Sequence, residues 1–265
     1  MRRPVALTIA GSDSGAGAGI EADLKTFEAY GVWGTAAVTA VTAQNSLGVQ
    51  ASQAVSPEMV RAQMSSVTAD FGVDAAKTGM LVSAETATTV AQTVAQLGIG
   101  PLVVDPVLMS SHGDELLDLD GIDVLREQLL PLATVVTPNL SEAAALAQHA
   151  VEDRAGMEEA ARVIAALGPA AVLVTGGHLD GDSSPDCLYV DGAVRWLEAP
   201  RLPAQHNHGS GCVLSAAVCS ELARGMDPGD ACLAAKRFTE RAIAAGLALG
   251  SATGPVDPGW ERLSS

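Results

Sequence analysis

Short apolar runs alternate along this chain with longer segments rich in Ala, Leu and Glu, and this alternation constrains the fold more than any single motif. Strands that alternate with helices are typical of β-α-β units, which build a mostly parallel sheet covered by helices on both faces. We therefore predict the α/β class with that central sheet. The predicted strands lie at residues 5–10, 34–41, 74–78, 101–105, 133–137 and 171–175.

The composition fits one such domain over residues 1–265. Apolar residues make up 48% of the chain and aromatic residues only 3%, so the core must consist mainly of Ala, Val and Leu, which suits helices packed closely on a parallel sheet. No repeat or change in composition marks a linker. Asp191-Gly192 separates two further strand-like runs, and this dipeptide predicts a two-residue type I′ hairpin.

The charge balance argues against two classes of partner. The chain has 15 basic and 31 acidic residues and a net charge of -16, whereas nucleic acids and anionic membranes are bound by basic surfaces. No apolar run approaches the ~18 residues of a transmembrane helix. We therefore expect neither nucleic acid nor membrane as a partner, and a phosphate-bearing ligand would need backbone N–H groups, magnesium and a few cations.

The cysteines and histidines show no spacing typical of a metal site or a disulfide framework. We therefore expect a protein of the reducing cytoplasm, with its histidines in loops or on the surface. The cysteines are Cys187, Cys212, Cys219 and Cys232, and the histidines are His112, His149, His178, His206 and His208.

The turn at residues 208–212 carries the strongest local signal. Gly209, Ser210 and Gly211 precede a helical segment, and such a turn directs backbone N–H groups at one point, where they favour an anion such as a transferring phosphoryl group. Cys212 falls in the first turn of that helix, where the field of the helix is expected to lower the pKa of the thiol and let it accept a proton. A plain helix cap is the alternative.

Other unusual clusters follow the predicted strands, where ligands bind in open α/β sheets. The glycines of loop 11–19 would let the chain close over a small ligand that Asp23 faces, although a flexible connection is the alternative. Asp105, Asn139 and Glu142 offer two carboxylates and an amide for hydrated magnesium near phosphates. Asn139 and Glu142 also form the pattern of a helix capping box.

Gln44 lies just after the second predicted strand. Its amide can donate and accept a hydrogen bond at once, which matches the edge of an aminopyrimidine; a solvated loop glutamine is the alternative. Met80 and Val107 would supply apolar walls for a flat ring, or belong to the core.

Six motifs in this order resemble the bacterial hydroxymethylpyrimidine/phosphomethylpyrimidine kinases of thiamine biosynthesis. Together they span most of the chain, and their combination is specific although each alone is weak. They are GSDSGAGAGIEADLKTF at 11–27, VTAQN at 41–45, KTGML at 77–81, VDPV at 104–107, TPNLSE at 137–142 and HGSGC at 208–212.

The resemblance implies a ribokinase-like fold, a homodimer, and two successive phosphorylations by ATP with Mg²⁺. The acceptors would be 4-amino-5-hydroxymethyl-2-methylpyrimidine and then its monophosphate. By position, the residues that would contact the pyrimidine are Gly11, Asp23, Gln44, Met80, Val107 and Cys212. The anion hole would be Gly209, Ser210 and Gly211. Magnesium and phosphates would be organised by Asp105 and Glu142 through water, with Asn139 beside them, and Thr175, Gly177 and Lys236 would lie along ATP.

Two positions depart from the family pattern, and two other functions stay open. Many relatives carry Lys in place of Thr175, which makes Lys236 the expected cation at the ATP phosphates, and Thr in place of Ser210. A pyridoxal or pyridoxine kinase of the same fold would also take a flat heteroaromatic ring with a hydroxymethyl group. A non-catalytic binding protein on this fold is the other alternative. The presence of Asp105 and Glu142 argues against it.

Overall fold

The computed structural model describes residues 2–109, 116–177, 179, 181–203 and 205–263. Within these ranges nine strands form one sheet in the order β3-β2-β1-β4-β5-β6-β7-β8-β9. The pairs from β2 through β1, β4, β5 and β6 to β7 are parallel, and β3, β8 and β9 add antiparallel edges. The strands are β1 (Val5–Ser12), β2 (Trp33–Asn45), β3 (Gly48–Ala54), β4 (Ala75–Thr78), β5 (Leu102–Val104), β6 (Val135–Val136), β7 (Ala171–Val174), β8 (Asp186–Val190) and β9 (Ala193–Leu197).

Helices cover both faces of this sheet, which confirms the predicted class. One layer contains α2, α3, α5 and α6, and the other contains α1, α7 and α8. The helices are α1 (Gly19–Ala29), α2 (Pro57–Asp70), α3 (Ala84–Leu97), α4 (Leu119–Val124), α5 (Leu140–Ala147), α6 (Arg154–Ala165), α7 (Ser210–Ala223) and α8 (Pro228–Ala244). Irregular helical turns follow α4 over Leu125–Leu132. No helix within the described ranges is long and apolar enough to cross a membrane.

The central strands show why an Ala, Val and Leu core suits this fold. Successive side chains of a strand point to opposite faces. On β1, Leu7 and Ile9 pack into the layer with α2 and α3, whereas Ala6 packs against α1 and α7. Both faces are therefore apolar, and the strands read as continuous apolar runs rather than as an alternation.

The predicted strands and the hairpin are confirmed, with two differences at one edge of the sheet. Asp191 and Gly192 have φ angles of 53° and 75°, as a type I′ turn requires. Strand β2 continues to Asn45, so Gln44 lies inside it and not after it. Strand β3 was not predicted, because its residues are mostly polar and exposed and its order comes from pairing with β2.

We expect Phe27→Ala to destabilise the fold strongly. Phe27 on α1 is fully buried, and it packs so closely on β2 that a side chain at Gly34 would meet its ring. Removing such a ring leaves a cavity and should lower the free energy of unfolding by about 3–5 kcal/mol. Urea unfolding followed by circular dichroism measures this. Phe71, which is 48% exposed, is the control, and Phe71→Ala should cost less than about 1 kcal/mol; equal losses in the two variants would contradict the packing.

Candidate active site

The loops that follow the parallel strands meet at the carboxyl edge of the sheet around one buried cation. Lys77, on β4, has no exposed surface, and its Nζ lies 3.1 Å from Asp23 Oδ1 and 3.7 Å from Asp105 Oδ2. Thr8 donates to the other oxygen of Asp23 at 2.6 Å, and Ser215 donates to Asp105 at 2.9 Å. The cluster therefore joins β1, β4, the end of β5, α1 and α7.

Lys77 stays protonated in this cluster. Burial alone would lower the pKa of Lys77, but the facing groups, Asp23 foremost, outweigh burial and raise it. The prediction had no role for Lys77, although a lysine inside the buried run of β4 is itself a signal, because an ammonium group is rarely buried without a partner.

Asp23 serves as an internal counter-charge. Its side chain has no exposed surface, and its two carboxylate oxygens accept from Lys77 and Thr8. The helix face that carries Asp23 turns toward the buried end of β4. The pairing with Lys77 was not predicted, and contact of Asp23 with the pyrimidine stays a prediction.

The turn before α7 has the backbone geometry that its glycines predicted. Gly209 has a φ of 79°, and a Cβ there would lie 1.8 Å from the carbonyl oxygen of Gly17. The first N–H groups of a helix have no intrahelical partner. The N–H of Ser210 donates to the carbonyl oxygen of Asn207 at 3.2 Å. The N–H groups of Gly211 and Cys212 therefore remain as candidates for binding an anion at the start of the helix.

The expected acidity of the Cys212 thiol is wrong. Burial raises its pKa to about 12, and the charges of Asp105 and Asp23 add to this increase while Lys77 opposes it. The expected lowering of the pKa is therefore not found, and burial is the main reason. Cys212 carries a neutral thiol at physiological pH, and it is unsuited to act as a proton acceptor.

The glycine-rich loop is folded around Asp13. This carboxylate, which is 3% exposed, accepts from the N–H groups of Gly15, Gly17 and Ala18 at 2.8 to 3.0 Å and lies 3.1 Å from His208 Nε2. Burial opposes ionisation, but the hydrogen bond from His208 and those from the backbone lower the pKa of Asp13. The prediction gave no role to Asp13 or His208; His208 does lie in a loop, as expected, but its contact with Asp13 was not predicted.

Four further predicted residues lie around the same cleft. Gln44 is half-buried, with its Nε2 3.5 Å from His208 Nε2. A Cβ at Gly11 would lie 2.2 Å from the terminal carbon of Met80, so a glycine is required for Met80 to lie there. Val107, which follows Asp105, is also half-buried.

The capping box at α5 is confirmed. Asn139 Oδ1 accepts from Glu142 N at 3.0 Å, and Glu142 Oε2 accepts from Asn139 N at 2.8 Å. Glu142 is 6% exposed. Burial and then the negative charge of Asp105 raise its pKa above the ordinary value. A cation between the two carboxylates would relieve this repulsion, and Mg²⁺ suits a site with few protein ligands because it keeps several waters.

Lys236 takes part in an ion pair that was not predicted. Its side chain is 7% exposed, and its Nζ donates to Asp186 Oδ2 at 2.8 Å and to the carbonyl oxygen of Ser184 at 3.0 Å. Asp186 in turn accepts from Gly176 N at 2.9 Å. Lys236 thus anchors the loop after β7, and its contact with ATP stays a prediction.

The remaining nucleotide-side predictions lie next to that loop. Thr175 N donates to the carbonyl oxygen of Pro138 at 2.9 Å, which places it beside the start of α5. Gly177 is exposed. His178 and His112 lie outside the described residues. Among the described residues no group of three or more His, Cys, Asp or Glu side chains could hold a metal ion.

The chain is similar to known kinases over nearly its full length. Residues 13–257 match the phosphomethylpyrimidine kinase family. A hydroxymethylpyrimidine/phosphomethylpyrimidine kinase of Streptomyces coelicolor is 51% identical over 258 residues, which are 97% of this chain and 95% of that protein. The structure of Bacillus subtilis pyridoxal kinase with ADP is 40% identical, with a TM-score of 0.93 over 99% of this chain and 100% of that one. Phosphomethylpyrimidine kinase of Clostridium difficile is 36% identical, with a TM-score of 0.81 over 91% and 100%.

We expect the stability of the protein without metal to fall as the pH rises, because of Glu142. Its pKa is raised in the folded state, so above the ordinary glutamate pKa of 4.5 the folded protein holds a proton that the unfolded chain releases. The free energy of unfolding then decreases by up to about 1.4 kcal/mol per pH unit until the carboxyl ionises.

Glu142→Gln should remove this slope. Urea unfolding with EDTA between about pH 5 and pH 8 should show the variant gaining stability over the parent protein as the pH rises. Glu85→Gln is the control, since Glu85 is exposed in the first turn of α3. Parallel pH profiles for Glu142→Gln and the parent protein would contradict the raised pKa.

Proposed function

Because the chain belongs to the phosphomethylpyrimidine kinase family, we propose that it transfers the γ-phosphoryl group of ATP in two successive steps. The first acceptor is 4-amino-5-hydroxymethyl-2-methylpyrimidine and the second is its monophosphate, so the product is the diphosphate used in thiamine biosynthesis. The observation that carries this proposal is the 51% identity over 97% of the chain to a kinase named for both reactions. The ribokinase-like fold of the solved relatives agrees with it.

The pyrimidine would lie at the cleft edge formed by β1, β2 and the loop after β4. The amide of Gln44 offers one donor and one acceptor side by side, which the amino group and ring nitrogen of an aminopyrimidine can pair. Met80 and Val107 supply apolar surface for the flat ring, and Gly11 leaves room for Met80. In this proposal the hydroxymethyl group points toward the start of α7.

The phosphoryl group would be stabilised mainly by backbone donors. The chain contains three lysines, and two of them, Lys77 and Lys236, are buried in internal ion pairs. The N–H groups of Gly211 and Cys212 and the positive end of the α7 dipole are therefore the anion-binding groups nearest the acceptor. Magnesium, held through water by Asp105 and Glu142, would supply the charge neutralisation that phosphoryl transfer needs.

The nucleotide would extend from this point toward β7. Thr175 and Gly177 follow β7, and Asn139 begins the neighbouring helix α5. Lys236 contributes indirectly in this proposal, because its ion pair with Asp186 fixes the loop at Gly176.

A pyridoxal kinase is the second candidate. It is favoured by the TM-score of 0.93 to the Bacillus subtilis enzyme, which exceeds the 0.81 to the Clostridium difficile phosphomethylpyrimidine kinase. The higher sequence identity to the pyrimidine kinase of Streptomyces coelicolor favours the first candidate. A non-catalytic binding protein is disfavoured, because binding a pyrimidine alone requires neither Asp105 nor Glu142.

We further propose that the chain works as one kinase domain, in the cytoplasm and as a homodimer. Its four cysteines are free in the described structure, which suits a reducing compartment. The β2–β3 edge presents the exposed apolar side chains of Val41 and Leu47, and exposed apolar surface of this kind is often covered by a partner.

Formation of ADP with each candidate acceptor tests the function. With MgATP, we expect rapid ADP formation with hydroxymethylpyrimidine, and again with its monophosphate, because both present the amino group and ring nitrogen that Gln44 pairs. A coupled assay measures kcat/KM for each acceptor, with ATP alone as the control. Higher kcat/KM for pyridoxal than for either pyrimidine would contradict the proposal in favour of the second candidate, and absence of turnover with all three would favour the binding protein.

We expect Cys212→Asp to impair the second phosphorylation much more than the first. The second acceptor is a phosphate, and two unit charges ~4 Å apart repel by roughly 4 kcal/mol at an effective dielectric constant near 20, before screening. The neutral thiol avoids this repulsion. Single-turnover rates for the alcohol and for the monophosphate measure the two steps separately. Cys212→Asn is the uncharged control of equal size, and it should slow both steps to a similar extent; the same ratio of rates in the Asp and Asn variants would contradict the role of charge.

A further inference from the structure

The backbone of Gln44 is fixed, so its side-chain amide is the adjustable part of the pyrimidine site. The N–H of Gln44 donates to Ser14 Oγ at 2.7 Å, and the same hydroxyl donates back to the carbonyl oxygen of Gln44 at 2.9 Å. The amide lies between two side chains, with Oε1 3.4 Å from Thr42 Oγ1 and Nε2 3.5 Å from His208 Nε2. The two ends of an amide differ only in hydrogen bonding, so their neighbours decide which end points where.

Thr42 can only accept from the amide. Its hydroxyl has one proton, and this proton is used in the 2.8 Å bond to the carbonyl oxygen of Ser12. A lone pair of the hydroxyl oxygen therefore faces Gln44. The favourable partner at this position is the NH₂ group of the amide, not its carbonyl oxygen.

The ring nitrogen Nε2 of His208, which faces Asp13 and Gln44, can only donate a hydrogen bond. Asp13 is an ionised carboxylate that accepts three backbone N–H groups and lies 3.1 Å from His208 Nε2. An ionised carboxylate has no proton to give, so Nε2 carries the proton. The single Nε2 proton is directed at Asp13; a carbonyl oxygen of Gln44 at 3.5 Å can share this proton, whereas an NH₂ group there would place two donors against each other.

Both neighbours therefore require the same orientation of the amide. A half turn about the Cγ–Cδ bond of Gln44 reaches this orientation. We propose that His208, held by Asp13, is a positioning residue that sets the Gln44 amide with its carbonyl oxygen toward His208 and its NH₂ group toward Thr42. This inference rests on the proposed function, because it specifies how the pyrimidine would be read.

A fixed amide distinguishes two closely related rings. A 4-aminopyrimidine presents a donor at its amino group beside an acceptor at its ring nitrogen. The 4-oxo analogue presents the reverse pair, a carbonyl acceptor beside a ring N–H donor. A mismatch between the hydrogen-bonding pair of the amide and that of the ring weakens binding about tenfold or more. If the amide could turn freely, it would accept both rings, so the selectivity depends on what holds it.

The experiment compares kcat/KM for 4-amino-5-hydroxymethyl-2-methylpyrimidine and for its 4-oxo analogue. We expect the parent protein to prefer the amino compound, and His208→Ala to reduce this preference about tenfold through KM, with kcat changed less than about threefold. His208→Gln should restore most of the preference, because its amide N–H reaches the position of the imidazole Nε2. His149→Ala is the matched control, since His149 lies in the loop after α5 and, among the described residues, its side chain bonds only to the carbonyl oxygen of Ala150.

His208→Ala in a Gln44→Ala background shows whether His208 acts by positioning the Gln44 amide or only by keeping the loop in place. We expect His208→Ala to change the preference less than about twofold there, because no amide remains to orient. Equal losses for the amino and oxo compounds, or an unchanged effect in the Gln44→Ala background, would overturn the inference. Absence of turnover with the amino compound in the parent protein would instead overturn the proposed function, and thermal unfolding of each variant confirms that it folds.

Discussion

The buried ammonium group of Lys77 is the interaction on which the arrangement of the site depends. Two carboxylates, Asp23 and Asp105, lie beside it with little or no access to solvent. Without the cation, each would be an uncompensated buried charge, which costs several kcal/mol. The lysine comes from β4, one carboxylate from α1 and the other from the end of β5, so neutralisation fixes three elements that are far apart in the chain. Burial, with Asp105 and Asp23 adding to it and Lys77 opposing it, raises the pKa of Cys212 and keeps its thiol protonated.

The charged groups around this centre mostly serve to hold backbone in place. Asp13 collects three N–H groups of the glycine-rich loop, and Asp186 joins Gly176 to Lys236. In a chain with a net charge of -16, two of the three lysines, Lys77 and Lys236, are thus used in internal ion pairs. In the proposed function, binding of phosphate therefore relies on the N–H groups at the start of α7 and on a metal ion.

Several elements of the site followed directly from local sequence. The capping box of Asn139 and Glu142, the type I′ hairpin and the glycine turn before α7 are governed by residues within a few positions of each other, and each was confirmed. The contacts that were not predicted join residues that are distant in sequence. Asp23 meets Lys77 across 54 positions and His208 meets Asp13 across 195. No local pattern indicates such pairs.

The sequence by itself determined the α/β class, the order of the parallel strands along the chain, the loops that carry chemistry and the resemblance to pyrimidine kinases. These depend on apolar periodicity, turn residues and motif spacing, which are local properties. Only the tertiary structure decided the protonation of Cys212, the internal roles of Asp23 and Lys236, and the contact between His208 and Gln44. Ionisation and hydrogen bonding depend on burial and on the charges within a few ångströms, and these are set by how distant segments pack.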